Sequence, residues 1–206
     1  MNFSPSAHPS FRRLSSLVRI GDVTVGGDAP IRIQSMLTSN TTDVAACVEE
    51  IVRLDRVDCE IIRLTVPNQK AVDALPRIRK GMQECGVSRP LVADIHFHYQ
   101  LALEAINGGV DGLRLNPGNI RDPGKVKQIV QAAKEREIPI RIGVNFGSLP
   151  PVGGIGKSGG FSRVMDMVNK LPKADDANEG EYSVVDHMVA TALWEISLLE
   201  EQDFDQ

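Results

Sequence analysis

Cysteine is scarce in this chain: Cys47, Cys59 and Cys85 are the whole complement, and no two of them stand at CxxC spacing. Neither a disulfide framework nor a metal centre can be read from residues so scattered, and the ordinary role for them is as small buried apolar side chains in a reducing cytosol. Any apolar run near the ~18 residues that a membrane span requires is also missing, which excludes a helical membrane protein. Positive charge is not in excess either. With 23 Lys and Arg against 27 Asp and Glu the net charge is −4, the opposite of the basic footprint that nucleic acid selects. The first 16 residues contain Arg12, Arg13 and several serines but no apolar core of the kind a signal peptide carries, so they read as a flexible tail. The expectation is a bacterial cytoplasmic protein rather than a plastid one.

A glycine-rich dinucleotide turn is absent as well. Gly156-Lys157-Ser158 invites a phosphate-loop reading, but that motif needs a glycine where Pro151 stands and a strand directly before it. A flexible lid is the expectation for this segment.

What is present is periodicity. Leu17 to Ile20 and Val23 to Val25 are short β-like runs separated by Gly21-Asp22, the chemistry of a tight hairpin, and Gly26, Gly27 and Pro30 end it. From there apolar strands alternate with amphipathic helices. The strands begin near Ile31, Glu60, Pro90, Gly112 and Pro139, at intervals of 29, 30, 22 and 27 residues, so one β/α unit is repeated. The first helix follows Thr41-Thr42-Asp43, with Val44, Val48, Ile51 and Val52 at helical spacing. Asn68 to Cys85 is the second, His98 to Asn107 the third, and Asp122 to Glu137 the fourth, with Val126, Ile129, Val130 and Ala133 on one face. Residues 150–182 break the rhythm and read as a long loop with one short helix near Phe161 to Lys170. Ser183 to Gln202 returns to helix, with Val185, Val189, Ala192, Leu193, Ile196 and Leu199 as its apolar side.

Two α/β architectures fit such alternation, the doubly wound sheet and the closed (β/α)8 barrel, and the strand ends discriminate between them. Gln34-Ser35, Arg63, Asp94 with His96, Arg114 with Asn116, and Arg141 with Asn145 all fall at or near strand C-termini, the face where barrels build their sites. The fold class expected is therefore α/β of the TIM-barrel type, with about five β/α units and a short N-terminal hairpin. Residues 17–206 are expected to form that substrate-binding barrel part.

Arg63, Arg114 and Arg141 are expected at equivalent points of strands two, four and five. Barrel closure would aim these guanidiniums, the side chains best matched to phosphate, into one bowl. The bland alternative is that each pairs with a strand-end carboxylate such as Asp94. Asp94 and His96 alternate, so they share a strand face. Aspartate can orient an arginine or a substrate hydroxyl, and His96 can donate to a phosphate or act as a proton carrier. As metal ligands they are too few. Asn116-Pro117-Gly118-Asn119 and Asn145-Phe146-Gly147-Ser148 follow arginine-bearing strands with turn residues whose free N–H groups can meet an anion.

At these residues the chain resembles the 4-hydroxy-3-methylbut-2-enyl diphosphate synthases of the non-mevalonate isoprenoid pathway. The resemblance runs from about Arg13 onward through ordered blocks: Gly26-Gly27 and Pro30-Ile31 leading into Gln34-Ser35-Met36, Ile62 to Pro67, Leu91 to Phe97, Leu113 to Asn119, and Ile140 to Asn145 with Gly147-Ser148-Leu149. It implies that methylerythritol cyclodiphosphate is held by Arg63, Arg114, Arg141 and Asn145, with Asn116 beside them and Asp94 and His96 lining the pocket. It further implies a four-iron four-sulfur cluster on a separate C-terminal domain, held by cysteines and a glutamate that this chain does not supply. Electrons would come from flavodoxin or ferredoxin, and the barrel would close against the cluster domain of its partner in a homodimer. Two departures accompany the likeness. The 150–182 loop is longer than the corresponding family segment, and the chain stops before a sixth strand, so this chain by itself is expected to bind no metal and to be inactive. Readings from other classes stay open at this point: a non-catalytic phosphate-binding module, or a phosphate-handling barrel enzyme of the pterin-synthase type.

Overall fold

In the computed structural model the described residues are 15–96, 98–115, 120, 122–145, 149 and 184–204. The tail through residue 14, the Asn116–Asn119 and Phe146–Ser148 turns, and segment 150–182 with its expected lid and short helix lie outside them. The N-terminal hairpin forms as the sequence indicates: β1 (Val18–Ile20) pairs antiparallel with β2 (Val23–Val25), and Gly21 takes the turn at φ +57°.

Five parallel strands follow in sequence order: β3 (Gln34–Met36), β4 (Ile61–Thr65), β5 (Leu91–Ile95), β6 (Gly112–Leu115) and β7 (Ile140–Ile142). Between them run α1 (Val44–Asp55), α2 (Gln69–Glu84), α3 (Tyr99–Asn107) and α4 (Pro123–Glu135), and α5 (Val184–Glu200) comes after β7. Sequential neighbours joined by crossover helices are what repeated βαβ units produce. Helix starts are set by local chemistry. Asp43, Asn68 and Asp122 each accept a backbone N–H of the first turn, from Ala46, from Ala71, and from Gly124 with Lys125.

Alternation along each strand divides the sheet into two faces. Ile62, Leu64, Ala93, Ile95, Leu113 and Leu115 are buried against Ile51, Leu75, Ile78, Ile106 and Ile129 of the helices. Full burial of each such aliphatic side chain contributes about 1.5–3 kcal/mol, so this face supplies most of the fold's cohesion. The opposite face carries Arg63, Thr65, Val92, Asp94, Gly112, Arg114 and Arg141, as the strand registers require. Its N-terminal end is covered by the hairpin. A Cβ on Gly112 would lie 3.4 Å from Ile20 Cγ2, and one on Gly21 would lie 3.1 Å from Pro90 Cβ. Arg32 ties the hairpin down further by donating to the Thr24 carbonyl at 2.9 Å and to Glu60 at 2.6 Å. The polar groups of this face are therefore left at the C-terminal ends of the strands.

Three expectations are corrected. The first parallel strand starts at Gln34 rather than Ile31. Ile31 is 88% exposed and Ile33 57%, and the chain there is held by the side-chain contacts of Arg32 and Glu60 instead of a full ladder. In α5, Val185, Val189 and Ile196 are exposed, whereas Ala190, Thr191, Trp194, Glu195 and Leu199 form the buried stripe. The helix is apolar nearly all round, so periodicity alone does not select the face that meets α4 and β7. Cys47 and Cys59 are buried as expected, but Cys85, past the end of α2, is exposed.

Candidate functional site

Asp94 is the centre of the polar face. Its side chain is only 3% exposed, and three basic groups converge on it. Arg114 Nη1 donates to Oδ1 at 3.0 Å, His96 Nε2 stands 3.1 Å from the same oxygen, and Arg63 Nε lies 3.5 Å from Oδ2. Burying a carboxylate this deeply is costly unless it is paired, and here two guanidiniums and an imidazole nitrogen surround it. The second donor arm of Arg114, Nη2, reaches the Gly143 carbonyl at 2.8 Å, which fixes the plane of the guanidinium.

The arginines are not all at one level. Arg114 and Arg141 are direct register partners, and both share the row of Asp94 and Thr65, whereas Arg63 pairs with Val92, two residues nearer the strand N-terminus. Strands of a closing sheet are tilted and staggered, so a hydrogen-bonded row runs obliquely to the mouth, and the long Arg63 side chain still reaches Asp94. Its environment is unusual. Among the described residues, Nη2 has only the Met36 sulfur at 3.1 Å, a weak acceptor, and Nε is buried without a hydrogen bond. Arg141 is exposed and has no hydrogen bond or ion pair among the described residues. Among the described side chains of this sheet face, three guanidiniums against the one carboxylate of Asp94 leave a local surplus of two positive charges. A surface with that surplus, and with donors left over, suits a multiply charged anion.

Asn145 is exposed just beyond β7, on the same end, while Asn116 lies outside the described residues. The structure thus brings Arg63, His96 and Arg114 each against Asp94, places Arg141 in the row of Asp94 and Arg114, and shows the bland pairing with Asp94 for two of the three arginines.

One residue at this end was not anticipated. Glu50, on α1, is 9% exposed and accepts from Thr38 N at 3.0 Å, Ser39 N at 2.9 Å and Thr38 Oγ1 at 2.7 Å, closing the loop after β3. Burial alone would raise its pKa, but the hydrogen bonds from Ser39 and Thr38 outweigh it and hold the carboxyl at about 2. Next to Glu49 in an amphipathic pattern, Glu50 reads as solvent-facing, so the sequence carries little signal for it. The loop is tied again where Thr41 Oγ1 donates to the Thr65 carbonyl at 2.6 Å.

The cysteines do not fit an iron-sulfur cluster. Cys47 Sγ donates to the Asn40 carbonyl, Cys59 Sγ lies among the Ile33 and Ile61 carbonyls, and Cys85 is on the outer surface. Burial, then the charges of Glu50 and Asp43, push the Cys47 thiol up to about 11, so a thiolate ligand is disfavoured there. No cluster of three or more His, Cys, Asp or Glu able to hold a metal occurs among the described residues. Nor is any described helix long and apolar enough to cross a membrane.

Comparison with known proteins places these features in context. Residues 15–206 match the family described as the GcpE TIM-barrel domain. The chain is 45% identical over 193 residues to the 4-hydroxy-3-methylbut-2-en-1-yl diphosphate synthase (flavodoxin) of Dehalococcoides mccartyi, covering 94% of this chain and 47% of that protein. It is 44% identical over 187 residues to the protein of that name from Geobacillus thermodenitrificans, covering 91% of this chain and 42% of the relative. For the Halalkalibacterium halodurans protein the figures are 43% over 187 residues, 91% and 43%. The chain spans about half the length of the curated relatives it matches.

Proposed function

Since the chain belongs to the GcpE TIM-barrel domain family, we propose that residues 17–206 form the substrate-binding barrel part of a 4-hydroxy-3-methylbut-2-en-1-yl diphosphate synthase. The reaction reductively opens 2-C-methyl-D-erythritol 2,4-cyclodiphosphate to the linear allylic diphosphate. The observation that carries this reading is the surplus of guanidinium around Asp94, with Arg141 unpaired among the described residues in the row of Arg114.

The residues divide the work by their surroundings. Arg141 offers all its donors to the diphosphate, so it is the first contact. Arg114, already oriented by Asp94 and the Gly143 carbonyl, presents its remaining N–H groups to a second phosphate oxygen. Arg63 lies deeper and exchanges a poor sulfur acceptor for a phosphate oxygen. Asn145 adds a neutral donor at the rim. His96, beside Asp94, is a hydrogen-bond donor to the substrate and a group suited to carrying a proton. The four-iron four-sulfur cluster would supply two electrons from a domain other than this barrel, and no step of it is assigned to these residues. Flavodoxin, the donor in the relatives' names, is the proposed electron source, and a homodimer closing barrel on cluster domain is the proposed assembly.

Isothermal titration of this chain with the cyclic diphosphate tests the reading. Binding that exceeds the affinity for inorganic phosphate and is weakened about tenfold or more by Arg114→Ala is expected, since each hydrogen bond to a charged group contributes roughly 1.5–3 kcal/mol. No discrimination between diphosphate and phosphate, or an unaffected Arg114→Ala variant, would remove the basis for it.

A further inference from the structure

Gly143 stands directly after β7, and the space beside it is already filled. A Cβ built there would lie 2.6 Å from both Cζ and Nη2 of Arg114 and closer still to Nε. The requirement is spatial rather than conformational, because the φ of Gly143 lies outside the left-handed region that favours glycine. At such a backbone position alanine is ordinarily tolerated, and it even stabilises by restricting the unfolded chain. The residue is also fixed at both of its backbone groups. Its N–H donates to the Leu115 carbonyl at 3.0 Å, extending the β6–β7 ladder, and its carbonyl accepts from Arg114 Nη2 at 2.8 Å.

We propose that Gly143 is a positioning residue for the anion site: its missing side chain is the space in which the Arg114 guanidinium lies against the end of β7. From that seat the guanidinium spans two fixed acceptors, the Asp94 carboxylate at 3.0 Å and the Gly143 carbonyl, and is held next to the row position of Arg141. A methyl group at position 143 displaces the whole guanidinium plane, since Nε, Cζ and Nη2 all stand within its reach. The Leu115–Gly143 rung fixes the backbone there, and Arg114 leaves one or both of its acceptors. The contact itself is independent of what the site binds. Its consequence for an anion rests on the diphosphate reading above.

The test compares the full chain with Gly143→Ala, Arg114→Ala and the double variant. Inorganic pyrophosphate is titrated calorimetrically, and the Arg114 Nε–H resonance, identified by its loss in Arg114→Ala, is followed by NMR. Gly143→Ala is expected to weaken pyrophosphate binding about tenfold, approaching the loss in Arg114→Ala, and to shift the Arg114 resonance. In the Arg114→Ala background the same glycine change should cost nothing further, since the group it acts through is gone. Equal losses in both backgrounds, or an unmoved resonance, would overturn the inference. If Gly143→Ala alone does not fold, the double variant should fold as Arg114→Ala does, because the overlapping group has been removed. Failure of both to fold assigns the glycine another role and overturns it too. If the unmodified chain does not bind pyrophosphate, the diphosphate reading fails, and the resonance alone decides whether Gly143 seats Arg114.

Discussion

The two faces of the parallel sheet are built from alternate residues of the same strands, yet they obey opposite rules. On the helix side, Ile62, Leu64, Ala93, Ile95 and Leu113 are sealed to within 1% of full burial and have no polar side-chain atoms to satisfy. On the other side, Asp94 is nearly as enclosed while Arg63 and Arg114 are partly buried, and each needs a partner of opposite charge or an acceptor to be there. The first face tolerates any well-packed apolar side chain of the right volume, whereas the second tolerates only a particular set of charges in a particular order. Cohesion and recognition are thus separated by one residue of register, and a site can be built on the stiffest part of the fold without weakening its core.

Removing one member from each face gives the sharpest contrast. Leu64→Ala should destabilise the chain by about 3–4 kcal/mol through lost burial and a residual cavity. Asp94→Ala should cost about 3 kcal/mol for a different reason: it strands two guanidiniums beside each other without their carboxylate. The figure lies at the low end for buried pairs because the Arg63 and Arg114 side chains retain 21% and 13% exposure and water relieves part of the charge. Urea denaturation followed by Trp194 fluorescence measures both. Asp94→Asn separates the terms, since it keeps the shape and removes the charge. An Asp94→Ala variant as stable as the parent would mean that the polar face contributes nothing to holding the strands, and the comparison would collapse.

A further effect distinguishes the polar contacts at this end from the apolar core by pH. Glu50 has an ordinary carboxyl pKa of 4.5 when unfolded and about 2 when folded, because Thr38 and Ser39 donate to its charged form against the cost of burial. A lowered folded pKa means that its stabilisation is complete above pH 4.5 and is lost as the pH falls from there through 2. The contribution at neutral pH is on the order of 3 kcal/mol. The urea midpoint of the parent should therefore exceed that of Glu50→Gln at neutral pH and converge with it in strong acid, while the Leu64→Ala deficit stays the same throughout. A Glu50→Gln difference that does not change with pH would show that the loop after β3 is not held by the ionised carboxylate.

How much of this was legible beforehand follows the same division. The helix-side face announces itself, because apolar residues recur at fixed periods and cap residues such as Asp43, Asn68 and Asp122 stand where the helices begin. The charged residues of the other face were also legible as strand-end polar groups, and their order matched a known family. What sequence did not carry was their spacing in depth. Arg63 appeared level with Arg114 and Arg141, but pairing register depends on sheet stagger, which no local pattern encodes. Glu50 and Gly143 escaped for a related reason. Each is defined by a neighbour distant in sequence, Thr38 for the one and Arg114 for the other. The apolar side of α5 was misassigned because a helix apolar on most sides offers several equally good faces, and only packing against α4 and β7 chooses among them.

The smallest effect on stability should come from Arg141, and it is the one that isolates recognition from cohesion. Arg141 shares the row of Asp94 and Arg114 but is exposed and makes no ion pair or hydrogen bond among the described residues, so its removal strands nothing. A substitution at such a position ordinarily changes folding free energy by less than about 0.5 kcal/mol. Arg141→Ala should therefore melt with the parent protein. Its affinity for inorganic pyrophosphate should nevertheless fall by about 1.5–3 kcal/mol, roughly tenfold to a hundredfold, because a free guanidinium gives its full set of charge-assisted hydrogen bonds to the ligand. Arg141→Lys should recover only part of that loss, since an ammonium keeps the charge without the paired donors. Raising the salt concentration should weaken binding in the parent more than in Arg141→Ala, the exposed charge being the one most open to screening. Calorimetry at two salt concentrations reads all of this in one series. If Arg141→Ala binds pyrophosphate as the parent does while Arg114→Ala does not, the anion sits deeper, between Arg63 and Arg114, and the rim takes no part in recognition.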